Sequence, residues 1–288
     1  MISTTRKLVT AWFFSVFLIF AAVTGAQAYS SVLAFGDSLS DNGNGDGYGL
    51  ARFSNGPVWV EYLAAGFGSV PLLDMAYGGA TTSFDAPAAS AYGGASALGL
   101  QWQVGAYGAT HSYSIADDTL VTISAGGNDL FNLRNPFTAA DNIAIAIQNL
   151  IAMGGDSFLV MNLSPSQQFQ EAQLWMAYFN AQLMSNLYGL HAINPNVNLF
   201  LLDLSNFVAT VDNYTGTWLA NSCNAPEADP NNCSNETFAW FDTIGVHPTT
   251  EVHAQIARLP WTAVPEPASI LLLMLGFAGL AGIRRKMK

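Results

Sequence analysis

Basic residues are scarce in this sequence, and most of them stand at its two ends. Nine of the 288 residues are lysine or arginine, and only Arg52, Arg134 and Arg258 lie between residues 29 and 263. The same segment holds 19 of the 20 acidic residues, so three basic against 19 acidic residues give it a formal charge of −16. A surface of this charge repels phosphate backbones and anionic membranes. We therefore expect no nucleic-acid partner, and a neutral rather than a phosphorylated substrate.

An apolar run marks the amino end of the chain. Arg6 and Lys7 precede the apolar residues 8–23, and Ala26-Gln27-Ala28 follows them. This pattern is typical of a secretory signal peptide comprising residues 1–28, which would leave Tyr29 as the first mature residue. A transmembrane anchor is the alternative. We expect export to the periplasm, the cell surface or the medium.

A second apolar run marks the carboxyl end. Val264-Pro265-Glu266-Pro267 leads into the uncharged residues 268–283, and a basic block closes the chain. A helix of 16 residues is about 24 Å long, short of a bilayer core of about 30 Å. We expect residues 268–283 to anchor the chain transiently in the inner membrane, with the basic end in the cytoplasm. The alternative is a terminal core helix. Residues 29–263 then form the folded domain, and residues 264–288 a sorting segment.

Residues that bind metals are also few. The chain has two cysteines and four histidines. The spacing of Cys223 and Cys233 fits no four-ligand zinc site, and no histidine cluster lies near enough in sequence to complete one. We expect neither a metal nor another cofactor. In an exported chain, two cysteines in a polar stretch are expected to form a disulfide.

Strand and helix patterns alternate between residues 29 and 263. This alternation predicts an α/β fold with a doubly wound, parallel sheet of five strands. The predicted strands are residues 32–35, 70–75, 119–124, 157–161 and 197–202. The predicted helices are residues 58–65, 97–109, 139–153, 168–190 and 249–258.

Three of the predicted strands end in loops that contain Ser38, Gly79 and Asn128. The carboxyl ends of parallel strands meet at one edge of a sheet, where ligands bind in open α/β folds. Acyl transfer requires a nucleophile, a base and hydrogen-bond donors for the oxyanion. Ser38 is the expected nucleophile. The backbone N–H groups of Ser38 and Gly79 and the Asn128 amide are the expected donors.

His247 is the expected general base among the four histidines. It follows a loop and precedes the last predicted helix, from which it can reach a neighbouring strand end. His111 lies in a polar stretch and His191 ends a long helix, so we expect both at the surface. His253 lies on the last helix, where a supporting or core role is expected.

Four blocks of the sequence resemble those of the GDSL, or SGNH, hydrolase family. They are residues 36–44, 76–81, 126–129 and 242–249, in the order and at the spacing of that family. The resemblance covers nearly all of residues 29–258. It implies a flavodoxin-like, three-layer α/β/α fold and ester hydrolysis. It also makes Ser38 the nucleophile and His247 the base, and places Ser38, Gly79 and Asn128 in the oxyanion hole.

One position departs from this family pattern. The family usually has its acid three residues before the histidine, where this chain has Ile244. We expect Asp242, five residues before His247, to orient the imidazole, with a bulge at Gly245 restoring the approach. The alternative is that a backbone carbonyl orients His247.

The carboxyl-terminal segment resembles a PEP-CTERM sorting signal, which implies processing by an exosortase-type enzyme. We therefore expect an exported serine esterase or lipase acting through an acyl-enzyme on neutral lipid or short-chain acyl esters. An O-acetyl esterase of extracellular polysaccharide is one alternative. A non-catalytic matrix or carbohydrate-binding protein on the same fold is another.

Overall fold

The chain forms a six-stranded sheet that separates two layers of helices. The computed structural model describes residues 29–43, 52–87, 97–164, 172–204 and 246–264. The strands are β1 (Ser31–Gly36), β2 (Leu72–Asp74), β3 (Thr119–Ser124), β4 (Ser157–Met161), β5 (Asn198–Leu202) and β6 (Thr262–Ala263). The helices are α1 (Trp59–Gly66), α2 (Leu100–Thr110), α3 (Gly127–Phe131), α4 (Pro136–Ala152), α5 (Gln173–Ile193) and α6 (Thr250–Ile256).

The sheet order is β2-β1-β3-β4-β5-β6. β1 to β5 pair in parallel, whereas β6 pairs antiparallel with β5. The predicted doubly wound α/β fold is confirmed, and the sheet gains one strand that the sequence did not predict. β6 has two residues, too few to show the alternation that marks a strand in sequence.

Both faces of the sheet are buried, because successive side chains of a strand point to opposite sides. In β1, Leu33 and Phe35 join the larger core beneath α2, α4 and α5. Ala34 joins the second core, beneath α1 and α6. This packing explains why the central strands are continuously apolar in sequence.

Two helices show why the structure departs from the sequence prediction. α4 begins at Pro136, three residues before the predicted start, because the Asn135 side chain accepts hydrogen bonds from the N–H groups of Phe137 and Thr138. Proline at the first helical position suits this cap. α3 is a helix of five residues where the sequence predicted only a loop around Asn128.

The end of β1 is held by a glutamine side chain on α2. β2 stops at Asp74, opposite Ala34, so the last two residues of β1, Phe35 and Gly36, extend beyond β2. The amide of the fully buried Gln103 accepts from the Gly36 N–H at 2.9 Å and donates to the Gly36 carbonyl at 2.8 Å. The Tyr77 N–H also donates to the Gly36 carbonyl at 3.0 Å, so the acceptor for the Gly36 N–H is what Gln103 adds immediately before Ser38.

No helix within the described ranges is long and apolar enough to cross a membrane. Residues 1–28 and 265–288, where the signal peptide and the transient anchor were predicted, lie outside those ranges.

Replacing Gln103 with leucine should destabilise the fold. The buried Gly36 N–H would lose its acceptor, which costs about 1–3 kcal/mol. Chemical denaturation of the parent and of Gln103→Leu measures the difference. Gln182→Leu is the matched control, because Gln182 is partly exposed and bonds to the exposed Asp141 and to Asn186. Equal unfolding free energies for the Gln103 variant and the parent would contradict the structural role of the amide.

Candidate active site

The structure brings Ser38 and His247 into contact. Ser38 lies just beyond β1 at the carboxyl edge of the sheet, and 7% of its surface is exposed. Nε2 of His247, which lies three residues before α6, is 2.6 Å from the Ser38 hydroxyl oxygen. This is the distance at which an imidazole can take a proton from a hydroxyl group.

The second predicted donor, Gly79, lies in the loop that follows β2, which we call the glycine loop (residues 75–82). Gly79 has a φ of 80°, a left-handed conformation that favours glycine. Within the described ranges, the N–H groups of Gly78 and Ala80 have acceptors, Asp41 and Tyr77. The Gly79 N–H takes part in no hydrogen bond with the described residues, so it remains available to a ligand.

Two buried aspartates tie the glycine loop to the serine loop (residues 37–43). The Asp41 carboxylate accepts from the Gly78 N–H at 2.8 Å and from the Gly43 N–H at 2.9 Å. Asp74, at the end of β2, makes the reciprocal link: its carboxylate accepts from the Asn42 N–H of the serine loop at 3.0 Å. Because each carboxylate lies on one loop or strand end and bonds to the other, the two loops are braced against each other.

The third predicted donor, Asn128, is held against the glycine loop from the other side. Its side-chain amide donates to the Ala80 carbonyl at 3.0 Å, which uses one of its two N–H bonds. The adjacent Asp129 is buried and accepts from both the backbone N–H and the hydroxyl of Thr82, at 2.8 and 2.9 Å. The segments that contain Ser38, Gly79 and Asn128 are thus linked through buried carboxylates and this amide.

Burial raises the pKa values of these carboxyl groups. Desolvation raises the pKa of Asp37 to about 7 and that of Asp41 to about 6, although N–H donors and nearby positive charge oppose the shift. Desolvation also raises the pKa of Asp129, and it raises the pKa of Asp74 well above the usual range. The cluster therefore takes up protons at a pH at which exposed carboxylates remain ionised.

His247 is held by a segment to which sequence analysis gave no role. We call residues 52–57 the clamp segment. Ser54 donates its hydroxyl hydrogen to the Pro248 carbonyl at 3.0 Å. Asn55 accepts from the Thr250 N–H at 2.8 Å, and the Thr250 hydroxyl donates to the Pro57 carbonyl at 2.8 Å. These bonds hold the backbone that directly follows His247, the residue that contacts Ser38.

Phe53 connects the clamp segment to the two functional loops. Its ring packs on the His247 imidazole with the ring centroids 4.9 Å apart. On its other side it fills the space next to Gly78, where a Cβ atom would lie 2.2 Å from the ring. The run Arg52-Phe53-Ser54-Asn55-Gly56-Pro57 was visible in the sequence, but only long-range contacts across about 190 residues reveal its function.

The other histidines have structural positions. His253 is fully buried, and its Nδ1 accepts from the Trp59 backbone N–H at 3.3 Å. Burial lowers the pKa of His253 to about 3, so it stays neutral, as its predicted supporting role requires. His111 is exposed, as expected. The surface prediction for His191 was wrong: it is buried, with Nδ1 3.2 Å from the Val197 carbonyl oxygen, because α5 ends against the start of β5.

Asp242, Cys223 and Cys233 lie outside the described residues, so the acid of the site and the disulfide stay predictions. Within the described ranges, no three histidine, cysteine or acidic side chains are arranged to bind a metal ion.

Comparisons with known proteins identify the relatives of this chain. A family model described as GDSL-like lipase/acylhydrolase matches residues 32–259, and one described as PEP-CTERM protein-sorting motif matches residues 263–286. A phosphatidylcholine-sterol acyltransferase of Aeromonas hydrophila is 28% identical over 213 residues, 63% of this chain and 61% of that protein. A thermolabile hemolysin of Vibrio parahaemolyticus is 33% identical over 151 residues, 46% of this chain and 34% of that protein. The chain thus spans about three fifths of one relative and one third of the other.

Among solved structures, a member of the lipolytic G-D-S-L family from Veillonella parvula is similar to this chain. The alignment covers 79% of this chain and 94% of that one, with 15% identity and a TM-score of 0.49.

Lowering the pH from 7.5 to 5 should raise the contribution of Asp41 to the stability of the fold, whereas His253, with a folded pKa of about 3, acts in the opposite direction. Asp41, with a folded pKa of about 6, binds a proton in this range, whereas the same group in the unfolded chain, with a pKa of about 3.9, stays largely ionised. The folded state then holds more protons, so its stability is gained as the pH falls and lost as the pH rises through the folded pKa. Melting temperatures at the two pH values measure the effect, at about 2–4 °C per kcal/mol.

The variant Asp41→Asn tests the origin of this pH dependence. It is uncharged at both pH values, so its melting temperature should rise less than that of the parent between pH 7.5 and 5. Its stability should also be lower than that of the parent at pH 7.5, because an amide offers one acceptor oxygen where the carboxylate offers two. An equal rise in the two proteins would show that Asp41 does not take up the proton.

Proposed function

Because the chain belongs to the GDSL-like lipase/acylhydrolase family, we propose that it hydrolyses carboxylic esters through an acyl-enzyme on Ser38. The observation that carries this proposal is the 2.6 Å separation of the Ser38 hydroxyl oxygen and His247 Nε2. A serine hydroxyl is a weak nucleophile unless a base within hydrogen-bond distance removes its proton.

In the proposed acylation step, Ser38 Oγ forms a bond to the ester carbonyl carbon while His247 Nε2 takes the hydroxyl proton. The carbonyl oxygen becomes an oxyanion, and we assign its stabilisation to the N–H groups of Ser38 and Gly79 and to the second N–H of the Asn128 amide. The bond to the leaving alkoxy group then breaks, and His247 returns the proton to that group. Water repeats the sequence on the acyl-enzyme and releases the acid.

The braced loops support this mechanism physically. Oxyanion donors are effective when they are already in place, because moving them during the reaction would cost free energy. Gly78 and Ala80 hold the backbone on both sides of Gly79 by bonds to Asp41 and Tyr77. The Ala80 carbonyl holds Asn128 as well, so the proposed donors belong to one connected unit.

We infer a neutral lipid or a short-chain acyl ester as the substrate. The charge of −16 on residues 29–263, with three basic against 19 acidic residues, disfavours an anionic substrate. One relative is named for acyl transfer between phosphatidylcholine and sterol. The carboxyl-terminal match to the PEP-CTERM motif supports export and processing by an exosortase-type enzyme.

Replacing Ser38 with alanine tests the proposed reaction. Loss of the nucleophile should reduce p-nitrophenyl acetate hydrolysis by several orders of magnitude, on the scale of about a millionfold seen when a triad serine is removed. The far-ultraviolet circular dichroism spectrum should stay unchanged, since among the described residues the hydroxyl bonds to His247 alone. Activity of Ser38→Ala within tenfold of the parent would remove Ser38 from the mechanism. A parent without activity on esters from acetate to palmitate would favour a binding protein.

The variant Asp242→Asn tests the acid. If Asp242 accepts a hydrogen bond from His247 Nδ1, its loss should reduce kcat by about a hundred- to ten-thousandfold, because the imidazole loses its tautomer control. The clamp segment holds the backbone on the carboxyl side of His247 without this carboxylate. A variant that keeps more than a third of the parental kcat at neutral pH would leave Ser38 and His247 as a dyad.

A further inference from the structure

Leu133 occupies a position that is unfavourable in two ways. Its φ is 54°, a left-handed conformation that branched side chains rarely adopt and that glycine or asparagine would adopt more readily. Its side chain is also 91% exposed. Folding gains nothing from an apolar side chain at this position, so the residue points to an external contact.

The turn that presents Leu133 is rigid. The Leu133 N–H donates to the Leu130 carbonyl at 2.9 Å, and the Arg134 N–H donates to the Asp129 carbonyl at 2.9 Å. The Trp175 indole donates to the Arg134 carbonyl at 2.6 Å. The leucine is thus held outward by bonds on both of its sides.

Arg134 brings other exposed apolar side chains to the same place. Its guanidinium pairs with Asp85, and its carbonyl bonds to Trp175. Each of these three residues directly follows an exposed apolar one, namely Leu133, Phe84 and Leu174. Tyr178 lies one turn after Leu174 on α5, and its ring packs on that of Phe137 in α4 with the centroids 5.6 Å apart. We call this set the apolar ridge: Phe84, Leu133, Phe137, Leu174 and Tyr178.

The apolar ridge adjoins the proposed oxyanion hole. Leu133 lies five residues after Asn128, and the Asn132 side chain between them donates to the Asn128 carbonyl at 2.7 Å. Phe84 follows the glycine loop by two residues, and Arg134 also donates to Thr81 in that loop. Whatever binds the ridge therefore lies next to the segments that contain Gly79 and Asn128, two of the proposed oxyanion donors.

From these observations we propose that the apolar ridge inserts into the surface of an uncharged or zwitterionic lipid aggregate. This step rests on the proposed ester hydrolysis and identifies the form in which that site receives its substrate. Insertion would bury the ridge and place ester groups beside Asn128.

The polar groups of the ridge favour lipid over a protein partner. Protein interfaces combine apolar contact with about one hydrogen bond per 100–200 Å². Next to the ridge residues, the guanidinium of Arg134 and the indole of Trp175 are already bonded inside the chain. The pairing of Arg134 with Asp85 also removes the positive charge that an anionic membrane would attract.

The variant Leu133→Asn provides the test, because asparagine suits the left-handed conformation and lacks the apolar side chain. In the full chain with Ser38→Ala, which prevents turnover, its partitioning onto phosphatidylcholine vesicles should fall roughly ten- to hundredfold, the scale for losing one buried leucine. With Ser38 intact, the ratio of tributyrin hydrolysis above and below the solubility limit should fall similarly. Residues 268–283 are present in every variant, so any contribution they make to binding is shared.

Tyr113→Asn is the matched control. Tyr113 has a φ of 53° and an exposed side chain, but it lies in the turn before β3, at the opposite edge of the sheet. Its vesicle partitioning and tributyrin ratio should equal those of the parent. The proposal fails if Leu133→Asn partitions like the parent, if only vesicles containing phosphatidylglycerol are bound, or if Leu133→Asn instead dissociates a dimer. A parent that binds vesicles but hydrolyses no tributyrin would contradict the proposed hydrolysis and leave the binding surface intact.

Discussion

Backbone N–H groups at the carboxyl edge of the sheet need acceptors, because the strands that would pair them have ended. Asp41, Asp74 and Asp129 supply those acceptors, and each joins two different segments of the edge. A buried N–H without a partner costs about 1–3 kcal/mol. A shift of one loop would therefore break a hydrogen bond to the neighbouring loop and leave an N–H there without an acceptor. The raised pKa values of these carboxyl groups follow from the burial that makes them effective braces.

The same constraint extends to the histidine. The clamp segment bonds to Pro248 and Thr250, and Phe53 packs between His247 and the space above Gly78. His247, which contacts Ser38, and the glycine loop are therefore held by the same neighbour, the clamp segment with Phe53. A change in the Phe53 ring would reach both proposed partners of the ester, the base and the oxyanion donors, although Phe53 itself has no acid–base chemistry.

Most of the fold, and the contact between Ser38 and His247, could be predicted from the sequence. Apolar strands and glycine-rich strand ends are local patterns, and parallel order brings those ends together, so Ser38, Gly79 and Asn128 could be placed at one edge before any coordinates were known. The role of the clamp segment could not be predicted, because it depends on contacts about 195 residues apart. His191 was misplaced because the end of a helix in sequence does not show what packs against it.

The contact between Ser38 and His247 joins residues 209 positions apart. The ribosome completes a chain from its amino terminus, so the strand that bears the serine exists long before the helix that follows the histidine. Contacts of such separation form late, since the long intervening loop must close first. A prematurely terminated chain would therefore carry the serine without its partner. An incomplete chain would therefore have no base to activate Ser38, and it would not hydrolyse esters inside the cell that makes it.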